Sequence, residues 1–389
     1  MSMSVQHKPI WQDVVGQPEA VAQLEHAVDG REAGVHHAWL FTGPPGSGRS
    51  QIAQAFAAAL LCADKGCGSC NSCQMIQAGN HPDLNVLATE RVQISIDEIR
   101  EYIDVSQFEP AVGNFRIMLI EDADRMAERS SNLLLKSLEE PPRGTIWLLC
   151  APSADDMLPT IRSRVRRVML KVPSVADVAS LLVNKFGIDL ALAKSSAAQA
   201  QSHVGMARRL ATNSDARERR VRALKVAGNI VSIPDAMRAA AAWLEIAKSD
   251  ADQLITERDE FERIELLERM GFSSEQALTP AARSQLKKLE ESQKRRATRS
   301  LRDGIDRILV DLLAMFRDII SIQLASDAPL TNEDLKPGLT MLAGEFTQSQ
   351  ILHICDLIAK SRDRINDNVR DSFVLQALAI SMRRKAVRR

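Results

Sequence analysis

Eight residues, Gly43–Ser50 (GPPGSGRS), have the types and spacing needed to hold a phosphate group. Gly43, Gly46 and Gly48 carry no Cβ to keep backbone N–H groups from closing around oxygen atoms. Ser47 lies within the same loop, Arg49 brings a cation, and Ser50 places a hydroxyl where Mg²⁺ is ligated. Such a cradle needs the positive end of a helix behind it. The sequence supplies one, because QIAQAFAAALL runs on with helical spacing, and the apolar run Trp39–Thr42 ahead of the loop reads as a strand. Strand, glycine loop and helix in that order form the P-loop unit, suited to ATP with Mg²⁺.

Two further groups carry chemistry. Phe115–Ile120 (FRIMLI) is an apolar strand ending in Glu121 and Asp122. Acids at that position can hold Mg²⁺ and polarise a water, although acids also cap helices. Cys62, Cys67, Cys70 and Cys73 come directly after the P-loop helix with spacing C-x₄-C-x₂-C-x₂-C. Four thiolates at these spacings can wrap one tetrahedral Zn²⁺ at about 2.3 Å. An iron–sulfur cluster and unliganded thiols are the alternatives. With no histidine, carboxylate or open position in the cluster, the expected zinc role is structural. Cys150 and Cys355 stand alone and are expected to be buried as small apolar residues.

The elements that must position these groups can be read in order. Pro18 suits the first turn of a helix whose Val21, Leu24 and Val28 share a face. The Gly-Gln-Pro turn before it would lay the Val14–Val15 backbone beside an adenine ring. Asp83–Ala88, Phe115–Ile120, Thr145–Cys150 and Val165–Leu170 read as further strands, and Ser95 with Glu98 boxes a helix over Ile96–Gln107. Strands alternating with helices predict a parallel α/β sheet with its ligand at the strand carboxyl ends. Ser174 and Asp177 open a helix that Gly187 closes, followed by helices over Ala191–Gln201 and Gly205–Ala211. From Ser214 the chain is helical and charged. Thr279 and Pro280 start a pattern running to about Leu324, Thr347 and Gln350 box another helix, and Val369–Met382 forms the last. The basic stretch 287–302 reads as an exposed, charge-laced helix in preference to a DNA-binding one. The division expected is a nucleotide-binding domain at 1–172 with a cysteine module at 62–73, a helical lid at 173–213, and an all-α domain at 214–389.

Composition excludes other classes. Lys+Arg and Asp+Glu balance at 50 each, so no global field draws the chain to nucleic acid. Aromatic residues make up 4%, too few for a base-stacking surface. No run of eighteen apolar residues exists, and MSMSVQHK reads as neither signal nor anchor, so a cytoplasmic protein without membrane contact is expected.

The motifs DVVGQPEAV, HHAWLFTGPPGSGRS, the four-cysteine insert, GNHPDL, NLLLKSLEEPP and TIRSRV occur in the order seen in bacterial clamp-loader AAA+ subunits of DNA polymerase III. The chain resembles the delta-prime branch of that family, of an actinobacterial kind, well over residues 5–213 and by helical character beyond. The resemblance implies an AAA+ fold with lid and collar. Gly43–Ser50 would be Walker A, Glu121 and Asp122 Walker B, Arg208 the sensor-2 arginine, and Arg164 in RSRV an arginine finger for a neighbour's ATP. It implies a hetero-pentameric ring with tau/gamma and delta subunits, which acts on the sliding clamp and primer-template DNA. Arg162, Arg166 and Arg167 read as a solvated strand edge.

Three departures count against hydrolysis by this chain itself: Arg49 in place of lysine, Glu-Asp in place of Asp-Glu, and Ala151-Pro152-Ser153 at the sensor-1 position. The alternative within the family is an ATP-hydrolysing tau/gamma-type motor. Outside it stands a zinc-stabilised DNA-binding regulator, which the charge balance disfavours.

Overall fold

The computed structural model describes residues 8–31, 34–89, 93–270 and 279–384. The start of the chain, read above as neither signal nor anchor, lies outside the described residues up to position 7. Two compact units divide at Thr212 and Asn213.

The first unit alternates helices and strands: α1 (Pro18–Asp29), β1 (Ala38–Thr42), α2 (Arg49–Leu61), α3 (Asn71–Gln77), β2 (Leu84–Leu87), α4 (Ile96–Ser106), β3 (Arg116–Ile120), α5 (Glu128–Glu139), β4 (Thr145–Ala151), α6 (Pro159–Arg162) and β5 (Arg166–Met169). Among the described residues these five strands form one sheet in the order β2-β3-β4-β1-β5, every pair parallel. The three inner strands are buried along their whole length, which is why their sequences are apolar apart from Thr42, Arg116 and Thr145 at their ends. Alternation along β1 builds both layers. Trp39 and Phe41 face α1 and α2, whereas Ala38 and Leu40 face the side covered by α4 and α5. The edge strand β5 exposes Arg166, Arg167 and Met169. Three short helices complete the unit: α7 (Val175–Phe186), α8 (Leu190–Gln199) and α9 (Val204–Thr212).

Local chemistry fixes the ends. The capping boxes expected at Ser95–Glu98 and Ser174–Asp177 are both formed, and Gly187 ends α7 in the left-handed region. In β2 and its approach the buried Asp83 does the equivalent work for a loop. Its carboxylate accepts the backbone N–H groups of Ala111, Val112 and Gly113, which hold that loop across the sheet edge.

Among the described residues the second unit is all helical: α10 (Ser214–Gly228), α11 (Ile233–Arg269), α12 (Pro280–Gln323), α13 (Lys336–Ala343), α14 (Gln348–Asn366) and α15 (Asp371–Ser381). Thr279 caps α12 and the box at Thr347–Gln350 opens α14, as the sequence signals predict. Trp243, Ile305, Leu309, Leu312 and Phe316 centre the core. Gly304 lets α12 approach α11 closely, since a Cβ there would lie 3.2 Å from the carbonyl oxygen of Ala247. A polar cluster also crosses this core. Arg220 donates to Asp311 at 3.0 Å and to Asn332 at 2.6 Å, while Asp318 accepts from the backbone of Thr331 and Asn332. Cys355 is half-buried against the core, less enclosed than expected, whereas Cys150 is fully buried. In the basic stretch, Arg296 turns inward to Asp259 and Glu262 of α11 and Arg302 bonds Asn368, in keeping with a charge-laced helix. No helix among the described residues is long and apolar enough to cross a membrane.

Candidate functional site

The glycine loop leaves the carboxyl end of β1 and enters α2, whose N-cap is Gly48 in the left-handed region at φ 85°. Gly46 has φ 86°, so both central glycines hold backbone that a side chain would strain. A Cβ on Gly43 would lie 2.6 Å from Ser47 Oγ and 2.9 Å from Leu170 Cβ. Ser47 is buried within the loop, and Ser50 stands in the first turn of α2. A Cβ on Gly46 would lie 2.9 Å from His203 Cα and Cβ, so the α8–α9 turn rests directly on the loop.

Arg49 does not reach outward. Its Nη1 donates to the carbonyl oxygen of Gly43 at 2.7 Å, and its Nη2 lies 3.8 Å from Asp122 Oδ1. Asp122, at the end of β3 in the left-handed region, also faces Arg125 Nε at 3.6 Å. The glycine loop and the acids therefore meet at the carboxyl edge of the sheet, on β1 and β3 with β4 between them. Two guanidinium groups already face Asp122, where a metal cation would otherwise be expected. Next to it, burial and the charge of Asp122 hold the Asp124 carboxyl above its ordinary range.

The other expected residues lie apart from this cluster. Arg208 on α9 stacks its guanidinium 4.6 Å from the centroid of Phe186. The Ser153 hydroxyl accepts from Asp155 N and caps its own turn. Arg164 sits just before β5, whose register pairs Arg166 with Trp39 near the start of β1. It therefore lies toward the amino-terminal edge of the sheet, roughly 16–20 Å along the strand direction from the glycine loop. There its Nε donates to Glu139 Oε1 at 2.6 Å, and its Nη1 donates to the carbonyl oxygen of Thr160 at 2.7 Å.

The cysteines are drawn together. Cys62 caps the end of α2, Cys70 caps the start of α3, and Cys73 lies inside α3. The Sγ of Cys62 is 3.6 Å from those of Cys67 and Cys70, and all four sulfurs lie within 4.8 Å of one another. A tetrahedron with 2.3 Å bonds has edges of about 3.8 Å, whereas a disulfide needs about 2.05 Å. The spacing fits a shared ion and no disulfide. Backbone N–H groups of Ser69 and Cys70 pull the Cys67 thiol down to about 6, and burial pushes that of Cys73 up. The module is held from outside as well. Gly66 and Gly68 have positive φ, and a Cβ on them would lie 2.6 Å from Ile10 Cγ2 and 3.2 Å from Pro9 Cβ, respectively, while the guanidinium of Arg31 caps the α2 carbonyls, Cys62 O at 2.7 Å among them.

Sequence reasoning missed several residues with positional work. Gln17 is buried, and its amide donates to Lys171 O at 2.6 Å and Ser47 O at 3.2 Å while accepting from Lys171 N. It ties the glycine loop to the segment after β5. The Gly-Gln-Pro signal was visible in the sequence, but partners 154 residues away were not. His203 and Glu139 gave no separate signal, although Glu139 lies within NLLLKSLEEPP.

A parallel sheet with a glycine loop at one carboxyl end and acids at another defines a P-loop-type α/β fold, here followed by a helical unit. Residues 16–174 match the family described as DNA polymerase III, delta subunit. DNA polymerase III subunit delta' of Pseudomonas aeruginosa is 38% identical over 146 residues, 36% of this chain and 44% of that protein. Subunit tau/gamma of Haemophilus influenzae is 34% identical over 177 residues, 44% of this chain and 25% of that protein. The matches thus span less than half of either relative. A DNA polymerase III gamma subunit-related protein from Thermotoga maritima aligns over 93% of this chain and 98% of its own, at 14% identity and a TM-score of 0.44.

Proposed function

We propose that the chain is a delta-prime-type clamp-loader subunit that supplies Arg164 to the ATP site of a neighbour and hydrolyses little ATP itself. The observation carrying this reading is the separation of the two cationic groups. Arg49 is folded onto its own loop and faces Asp122. Arg164 lies toward the opposite edge of the sheet, about 34% exposed, where its own glycine loop is out of reach. An arginine side chain extends roughly 6–7 Å, well short of that separation. A guanidinium offered across an interface neutralises charge on a transferred phosphoryl group and is worth 10³–10⁵ in rate where it acts. Arg208 would be the sensor-2 residue only after leaving Phe186. The four thiolates would hold one structural Zn²⁺, fastening the end of α2 to α3. Ring partners would be tau/gamma and delta subunits, with the sliding clamp and primer-template DNA met through the assembled loader. The 1–172, 173–213 and 214–389 segments would serve as nucleotide domain, lid and collar.

A motor-type tau/gamma reading has one observation in its favour, the intact left-handed glycines at 46 and 48. One experiment separates the two. The isolated chain should show negligible ATP turnover, and Arg164→Ala should cut DNA- and clamp-stimulated turnover in a ring rebuilt with its natural partner subunits. Vigorous turnover by the isolated chain that Asp122→Asn abolishes would establish the motor. Wild-type turnover in Arg164→Ala rings would remove the finger assignment.

A further inference from the structure

The donors of Arg164 are mostly spoken for within its own chain. Nε donates to Glu139 Oε1 at 2.6 Å, and Nη2 closes on the same carboxylate oxygen. Nη1 donates to Thr160 O at 2.7 Å and to Ser163 Oγ at 3.0 Å. Of the five N–H donors of the guanidinium, three are hydrogen-bonded, and Nη2 is held against Glu139 as an ion pair. Neither flat edge can then grip two phosphate oxygens. The Nε–Nη2 edge is filled by Glu139, and the Nη1–Nη2 edge has both Nη1 hydrogens committed.

The two sets of bonds are not equally hard to exchange. Those to Thr160 and Ser163 are local, set by the turn that ends α6, and they hold the side chain by neutral acceptors. Glu139 is the last residue of α5, 25 positions earlier, and among the described residues it is the charged partner of this guanidinium. The pair is open to solvent, with side-chain exposures of 34% for Arg164 and 46% for Glu139. An exposed carboxylate–guanidinium contact shifts an equilibrium by roughly 1.4- to 5-fold. A nucleoside triphosphate carries more charge and more acceptor oxygens than one carboxylate. It can therefore displace Glu139, whereas the carboxylate suffices to keep the fork parked when no phosphate is near.

We propose that Glu139 is a latch for Arg164: a positioning residue that occupies the fork in the free subunit and yields it to the phosphates of a nucleoside triphosphate bound in the neighbouring chain. This rests on the reading of Arg164 as a group acting in trans. The exchange is ionic and breaks no covalent bond. It delays engagement until a neighbour is loaded and docked, and it lowers turnover by the resting ring.

The experiment uses the full chain with Glu139→Gln, which keeps shape and an acceptor oxygen but removes the charge. In the isolated chain, the Arg164 Nε–H should exchange with water about two- to fivefold faster, read by ¹⁵N NMR; unchanged exchange overturns the latch. In the rebuilt ring, turnover of ATP without DNA or clamp should rise about two- to fivefold with the KM for ATP within twofold. Glu139→Asp, which restores the charge on a shorter stem, should return turnover toward wild type. The difference between Glu139→Gln and wild type should close as salt is raised, because screening releases the wild-type pair too. A merely structural Glu139 would lower turnover and show no such salt convergence, and that result overturns the proposal. If Arg164→Ala lowers turnover while Glu139→Gln leaves it unchanged, the latch is refuted and the finger stands. If Arg164→Ala has no effect, the finger reading falls and the latch falls with it.

Discussion

Replacing Asp83 by asparagine tests how the first unit holds its sheet edge. The carboxylate is fully buried and receives three backbone N–H groups, those of Val112 and Gly113 at 2.8 Å, with Arg116 Nη2 3.9 Å away. Burial opposes ionisation, but the N–H groups of Ala111, Gly113 and Val112 outweigh it and hold the carboxyl below its ordinary range. Asparagine fits the volume but must turn an NH₂ toward a donor. In the less costly orientation its oxygen keeps Val112 and Gly113, and its NH₂ opposes Ala111 N–H beside the nearly buried Arg116. One charge-assisted bond lost and one donor left facing another cost about 2–4 kcal/mol. The assay is urea unfolding followed by tryptophan fluorescence in a Trp243→Phe background, where Trp11, Trp39 and Trp147 report the first unit alone. With a slope of about 2–3 kcal/mol/M the midpoint should fall by roughly 0.7–2 M at pH 7. Because the folded pKa is depressed, the advantage of aspartate is complete well above the unfolded value near 3.9 and is lost as pH falls through the folded one. At pH 3.5 the difference between the two proteins should be smaller than at pH 7. A difference under about 0.5 kcal/mol at pH 7, or one that does not narrow in acid, would refute the account.

Two further outcomes are expected. Protein purified without chelator should carry about one zinc per chain, and Cys73→Ser should lower that content and destabilise the first unit by several kcal/mol; iron with a visible charge-transfer band, or zinc far below one equivalent, would overturn the zinc assignment. In the second unit, Asp311→Ala strands the buried Arg220 guanidinium and should cost about 3–5 kcal/mol by Trp243 fluorescence, whereas Arg220→Met with Asp311→Leu should cost clearly less.

What the sequence made legible was local or periodic. Ser95–Glu98, Ser174–Asp177 and Thr347–Gln350 are boxes closed within four residues, and Thr279 announces a helix that ends one residue before Leu324. The cysteine spacing likewise encodes its own convergence. The candidate site was legible as a set of residue types but not as a set of contacts. Arg49 matches the cation position of a phosphate loop, yet only the fold brings Gly43 O and Asp122 to it. Gln17 and Asp83 look like ordinary polar residues beside a turn and a strand. Their work depends on partners 154 residues away in one case and 28–30 in the other. Arg208 carries the type expected of a phosphate sensor, and nothing in its own segment reveals the face of Phe186.

The strand order has a consequence for how the chain is made. β1 is the first strand to be synthesised, yet its neighbours in the sheet are β4 and β5, the last two. From Thr42 to the start of β4 at Thr145 the ribosome must add about 103 residues, roughly 5–21 s at 5–20 residues per second. During that interval Trp39, Leu40 and Phe41 have no strand to pair with, and the amide of Gln17 has no Lys171 to meet. A nascent chain stalled before residue 145 should therefore hold a sticky apolar segment for as long as the stall lasts, and chaperone demand should drop once β4 and β5 have emerged.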